Sequence, residues 1–139
     1  MLKTSKYIFG TVVSLSLMVI TYSIVTKAES QNNWLKKATG NYQSFIWNAG
    51  TLTRGTTEFN LVARNELIGS YTMREKHSTV SGALSECQSI KIGLISCRWN
   101  DKYGTGNLTI VFSKDFSNFN GYWNLENSQQ KFPWRGSRL

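Results

Sequence analysis

An all-β chain, an antiparallel up-and-down meander closing into a barrel of roughly eight strands, is what the sequence predicts, and three observations carry it. First, short segments that alternate apolar and polar residues recur from Gly40 to Leu139, separated by turn residues. The clearest runs from Gly104 to Trp123: Leu108, Ile110 and Phe112 point one way, Asn107, Thr109, Val111 and Ser113 the other, and after Lys114-Asp115 the alternation resumes with Phe119, Gly121 and Trp123. Second, no stretch after residue 28 keeps a helical period for three turns. Third, glycine is repeatedly followed two residues later by a large side chain, as a strongly coiled sheet filled with aromatics requires.

The chain opens with Lys3 and Lys6, followed by an uncharged apolar segment from Tyr7 to Thr26. Thr26-Lys27-Ala28 places small residues where a signal peptidase cuts, after Ala28. A signal's apolar region runs about 7–15 residues, whereas a spanning helix needs about 20. Residues 1–28 therefore read as an N-terminal hydrophobic helix that is either a cleaved signal peptide or a retained anchor associating with the membrane through residues 7–26. Both place the following domain outside the cytoplasm, periplasmic, secreted or held at the membrane. Residues 29–38 read as a linker with room for one helical turn. The domain itself, 39–139, divides into strands at about 39–47, 55–63, 66–73, 78–85, 93–99, 105–113, 118–124 and 131–138. Turn chemistry separates most of them: Asn48-Ala49-Gly50, Arg64-Asn65-Glu66, Asn100-Asp101, Lys114-Asp115 and Glu126-Asn127-Ser128. Asn120-Gly121 is also a hairpin signal, but a turn there would leave Tyr122-Trp123 too short to pair onward, so it belongs inside a strand. The single proline, Pro133, cannot donate to a ladder and marks the start of the last strand, with Trp134 and Gly136 on one face and Arg135 and Ser137 on the other.

The 139 residues carry 16 basic and 8 acidic side chains, a net charge of +8. Three of the lysines, Lys3, Lys6 and Lys27, lie in the leader, which leaves 13 basic against 8 acidic residues, scattered along the domain. Such scattering describes a solvated surface; the net excess also suits an anionic partner such as lipid headgroups or acidic glycan. Export separates the domain from nucleic acid.

Gly69-Ser-Tyr71, Gly82, Trp99, Phe119-x-Gly121-x-Trp123 and Trp134-Arg-Gly136-Ser-Arg138 resemble a group of small exported bacterial β-barrel proteins. Their strands repeat Gly-x-Tyr or Gly-x-Trp, and their chains finish in Trp-x-Gly-x-Arg. The likeness covers roughly Gly40 to Leu139 and implies a barrel without implying an activity. Fainter is a similarity to avidin-like, calycin-type barrels, carried by Ser70-Tyr71-Thr72 after glycine and by Trp99, Trp123 and Trp134 as ring walls. Most of the polar residues of a biotin pocket are not at clear positions here.

Cys87 and Cys97, the only cysteines, fit a disulfide in an exported domain. Their spacing and the absence of a histidine cluster exclude a redox pair or a zinc site. The single histidine, His77, lies in a charged hairpin tip, with no nucleophile motif in the chain. Eight acids, mostly at turns, supply no recognisable carboxylate pair for glycoside chemistry. Neither a phosphate-cradling loop nor an EF-hand is present, and Asn107-Leu-Thr109 is ordinary sheet sequence. The chain thus reads as a non-enzymatic binder of a small ligand or a protein partner, with no cofactor and no metal. A membrane-anchored accessory subunit is the alternative. The candidate ligand site is a barrel mouth lined by Tyr71, Trp99, Trp123 and Trp134, with Arg138 or Arg135 as the polar contact.

Overall fold

The computed structural model describes residues 34–63 and 65–139; the leader and the hydrophobic helix expected in it lie outside them. Alternation sorts side chains by face, and each strand is bonded to the next in sequence. β1 (Gly40–Asn48), β2 (Thr51–Ala63), β3 (Glu66–Arg74), β4 (Thr79–Lys91), β5 (Leu94–Asp101), β6 (Gly104–Phe112), β7 (Asn118–Leu125) and β8 (Phe132–Arg138) form one closed antiparallel barrel. β8 closes on β1 from Tyr42↔Arg138 to Ile46↔Trp134. Asn120 and Gly121 lie within β7, paired to β6 and β8. Along β8, Trp134 and Gly136 are buried while Pro133, Arg135 and Ser137 are exposed.

Several boundaries differ from the sequence reading, each for a local reason. Ala49 and Gly50, with φ of 49° and 86°, make a two-residue turn, so pairing restarts at once with Asn48↔Thr51 and β2 begins earlier than residue 55. Asn100 and Asp101 stay in β5; the reversal falls at Lys102-Tyr103, and Asp101 Oδ1 accepts the Tyr103 N–H at 2.7 Å. Aspartate thus marks the first corner of the turn rather than its centre. β4 runs on past residue 85, so Cys87 lies in the strand and not in the loop after it. Glu86 takes φ of 50° and makes a bulge there. Val80, Gly82 and Leu84 face inward; strict alternation would turn Glu86 in and Cys87 out. One extra residue reverses that, and the buried Cys87 meets the buried Cys97 in a disulfide.

The glycine repeat acts across strands. Tyr71 pairs with Gly82, Trp99 with Gly106 and Phe119 with Gly136. In each pair the ring lies over the glycine Cα, in the space a side chain would occupy. Eight strands enclose just enough room for side chains, and these pairings let large rings fit.

The two ends differ. At one end the chain enters through a helical turn, residues 34–38, whose Trp34, Leu35 and Ala38 are buried. What the sequence presented as the end of a linker is therefore packed against the barrel core. Trp34 stacks on Phe116 and meets Phe112 edge-on, above a cluster of Tyr42, Phe59 and Phe119. Arg138 fastens this plug: it donates to the carbonyls of Lys37, Thr39 and Phe116 and to the Tyr42 hydroxyl, at 2.6–3.1 Å. The opposite end carries the turns after β1, β3, β5 and β7 and is the mouth.

Candidate functional site

At the mouth lies a cavity of about 100 Å³. Tyr71, Trp99, Trp123 and Trp134, the four aromatics expected to line it, all do so, with Met73 and Ile46 between them. They arrive from four different strands: Tyr71 from β3, Trp99 from β5, Trp123 from β7 and Trp134 from β8. Each is inward-facing by alternation, and antiparallel order brings every second strand to the mouth at its C-terminal end. β8, which runs the other way, contributes from its start.

Arg138 is a correction. It sits at the far end of β8, on the plug, and does not reach the cavity. Having Trp134 at the mouth forces this, because four residues of extended strand span roughly 13 Å. Arg135 is also elsewhere: it faces outward, its guanidinium 5.7 Å from the Phe45 ring centre. The polar lining comes instead from Asp101, Asn48 and Tyr103, which had not been singled out. Asp101 and Asn48 are hidden by their turn signatures, and Tyr103 falls between two of the expected strands. Only the closure of the barrel reveals that these turns share one end.

The hydrogen-bond donors of the four wall aromatics are already engaged. Trp99 Nε1–H donates to the Asn124 carbonyl at 3.2 Å and Trp123 Nε1–H to the Trp47 carbonyl at 3.0 Å. Trp134 Nε1–H reaches the Thr57 hydroxyl at 3.1 Å, which is bonded in turn to Ser44 at 2.7 Å, a fully buried polar chain. Tyr71 Oη–H donates to Asp101 Oδ2 at 2.7 Å. Burial raises the Tyr71 pKa, and the hydrogen bond and charge of Asp101 push it in the same direction, so the phenol stays protonated as a donor.

The rim is held by Glu75, from the turn after β3. Its Oε1 accepts from Asn48 Nδ2 at 3.1 Å and the Tyr103 hydroxyl at 2.6 Å; its Oε2 accepts from Ser78 at 3.1 Å and Lys102 at 3.3 Å. These bonds, that from Tyr103 foremost, lower its pKa from 4.5 to about 2. Three turns are thereby tied by one carboxylate. His77, in the same turn, is exposed. No group of three histidine, cysteine or acidic residues able to hold a metal ion occurs among the described residues, and none of their helices is long and apolar enough to cross a membrane.

No family model matches the chain, and no curated protein matches it. Among solved structures it is similar to a de novo designed fluorescence-activating beta barrel, 13% identical, over 73% of this chain and 93% of that one, with a TM-score of 0.53. At that identity the likeness concerns the fold.

Proposed function

We propose that this domain is an exported, non-enzymatic binder that takes a small ligand into the mouth cavity. The observation that carries the reading is the asymmetry of the barrel. One end is filled by a packed aromatic plug, while the other keeps an aromatic-lined hollow that the same core could have filled. Barrel mouths are a common place for ligands, and the designed barrel of similar fold is described as fluorescence-activating. The disulfide supports export, since such bonds persist in oxidising compartments. The resemblance to small exported bacterial barrels belongs to the same proposal.

Size narrows the ligand. The cavity, about 100 Å³, is below the roughly 150 Å³ that admits a benzene ring in a dry protein core. A compact head group suits it better than the fused rings of biotin.

The test is a thermal-shift screen of small polar and apolar fragments against the full-length protein and Leu125→Trp. Leu125 is 46% exposed at the rim, so the larger ring obstructs the mouth without disturbing the core. A fragment that raises the wild-type melting temperature and not that of the variant is expected. Binding that survives Leu125→Trp, or no binding by any fragment, would refute the reading. Export is checked separately: a chain recovered with Glu29 as its N-terminus shows cleavage, and an intact Met1 shows a retained anchor.

A further inference from the structure

We infer that the mouth cavity recognises a compact organic cation, a methylated or protonated amine, held between aromatic walls and the Asp101 carboxylate. This rests on the reading of the mouth as a binding site and names its ligand class.

The argument begins with charge. The chain is basic, with a net charge of +8, yet no lysine or arginine lines this cavity, and Asp101 is the one charged residue that does. Lys102, the nearest cation in the chain, is turned to the rim, where its Nζ pairs with Glu75 at 3.3 Å and lies 4.8 Å from the Tyr103 ring centre. Arg138, the cation expected here, is committed to the plug. A basic protein has therefore kept this hollow free of basic side chains, with one carboxylate in its lining.

Hydrogen-bonding capacity points the same way. The indole N–H groups of Trp99, Trp123 and Trp134 are satisfied by the protein, as are the hydroxyls of Tyr71 and Tyr103. What the lining offers a ligand is chiefly acceptors. Each Asp101 oxygen takes one protein hydrogen bond, at 2.7 Å, and an ionised carboxylate has about four lone-pair sites. Apart from the second amide N–H of Asn48, whose first goes to Glu75, the lining side chains leave an anionic ligand no donor, whereas a cation or an N–H donor finds a fixed carboxylate.

The walls complete the pattern. Trp99 and Trp123 meet edge to face at 5.4 Å, and Tyr71 and Trp134 at 4.7 Å, so the hollow is bounded by rings in differing orientations. Electron-rich faces around a small space attract quaternary and protonated amines, most strongly where water is excluded. A trimethylammonium head presents methyl groups in several directions and so can meet rings of differing orientation, as a flat ring cannot.

The experiment is calorimetric titration of the full-length protein with choline and with its uncharged isostere, in which carbon replaces the quaternary nitrogen. Choline is expected to bind at least tenfold more tightly than the isostere. Asp101→Asn, which keeps an acceptor oxygen for the Tyr103 N–H and turns an amide N–H toward the Tyr71 hydroxyl oxygen, is expected to lose that tenfold preference while melting near the wild type. Should Asp101→Asn not fold, Tyr71→Phe serves, since freeing one Asp101 oxygen should leave the preference for charge intact, and losing it would count against the assignment. Equal binding of both compounds would overturn the cation inference and leave the mouth as a ligand site. Choline binding untouched by either Asp101→Asn or Leu125→Trp would place the cation elsewhere and overturn the inference. Binding of neither compound, with fragments still captured in the screen above, would overturn the ligand class alone; failure of both experiments would remove the site itself.

Discussion

Replacing Trp134 by alanine tests whether the mouth is a true part of the core. Trp134 is 2% exposed, stands opposite Gly121 on β7 and Ile46 on β1, and meets Tyr71 edge-on. Truncating a buried tryptophan costs about 3–5 kcal/mol, the sum of lost transfer free energy and the cavity left behind. Two details place this site in the lower half of that range. Thr57 loses the indole donor but keeps Ser44, so no polar group is orphaned. The vacated space also merges with a hollow already open at the mouth, which lets water in and limits the dry void. A loss of about 3–4 kcal/mol lowers the melting temperature of a domain this size by roughly 15 °C. Far-UV circular dichroism melts of Trp134→Ala and Trp134→Phe give the result, the second variant losing less than about 2 kcal/mol because an aromatic edge remains against Tyr71. A melting temperature for Trp134→Ala within about 3 °C of the wild type would show that the ring is not packed as described, and would refute the reasoning. Loss of ligand binding cannot decide this point, since the same ring is both core and wall.

Other expectations concern the rim, the disulfide and the glycine pairs. Glu75 has a lowered pKa, from 4.5 to about 2, so its contribution to stability is present in full above 4.5 and is lost as the pH falls through 2. Asp115, held near the plug by Ser117 and Ser113, is lowered to about 2 and fades in the same acid window. Glu75→Gln should therefore lose less stability than the wild type between pH 5 and pH 2, as followed by urea titrations; parallel pH profiles would show that the rim network contributes nothing. Reduction of Cys87–Cys97 opens a loop with a sequence separation of 10, and in the chain-entropy model should cost roughly 2–3 kcal/mol; an unchanged denaturation midpoint after reduction would contradict this. Gly136→Ala puts a methyl into the ring of Phe119, which is 1% exposed and enclosed by other aromatics. It should destabilise by about 1–3 kcal/mol through overpacking, and a variant as stable as the wild type would show that the ring moves freely.

Strand number, direction and face were legible because a period of two leaves its mark in every segment, as in Leu108, Ile110 and Phe112. The four wall aromatics were legible too, because large rings facing inward on a small barrel must lie either in the core or at its ends. Which end was not legible. Arg138 and Trp134 share one motif, but they stand at opposite ends of one strand, and local sequence gives no height along the barrel axis. The bulge at Glu86 was equally hidden. A glutamate in a left-handed conformation leaves no pattern, yet it decides that Cys87 faces Cys97. Asp101, the carboxylate of the site, was concealed because its role in starting a turn accounts for it fully at the level of sequence. The meaning of the glycine repeat emerged only with register: the ring that matters to Gly82 is Tyr71, eleven positions earlier, rather than the neighbour two residues on.

An even number of strands has a consequence for attachment. A chain that goes up and down four times leaves the barrel where it entered, and here residue 34 and Leu139 both lie at the plugged end, with the Leu139 N–H bonded to the Asn41 carbonyl at 2.9 Å. Any tether joined to either terminus, whether the chain's own leader, a fused partner or a linker to a solid support, therefore pulls on the plug and leaves the mouth pointing away from the anchor point. The four turns around the cavity carry no chain end. They can be lengthened, shortened or exchanged without touching the attachment, so the mouth and the point of attachment are mechanically separate parts of one small barrel.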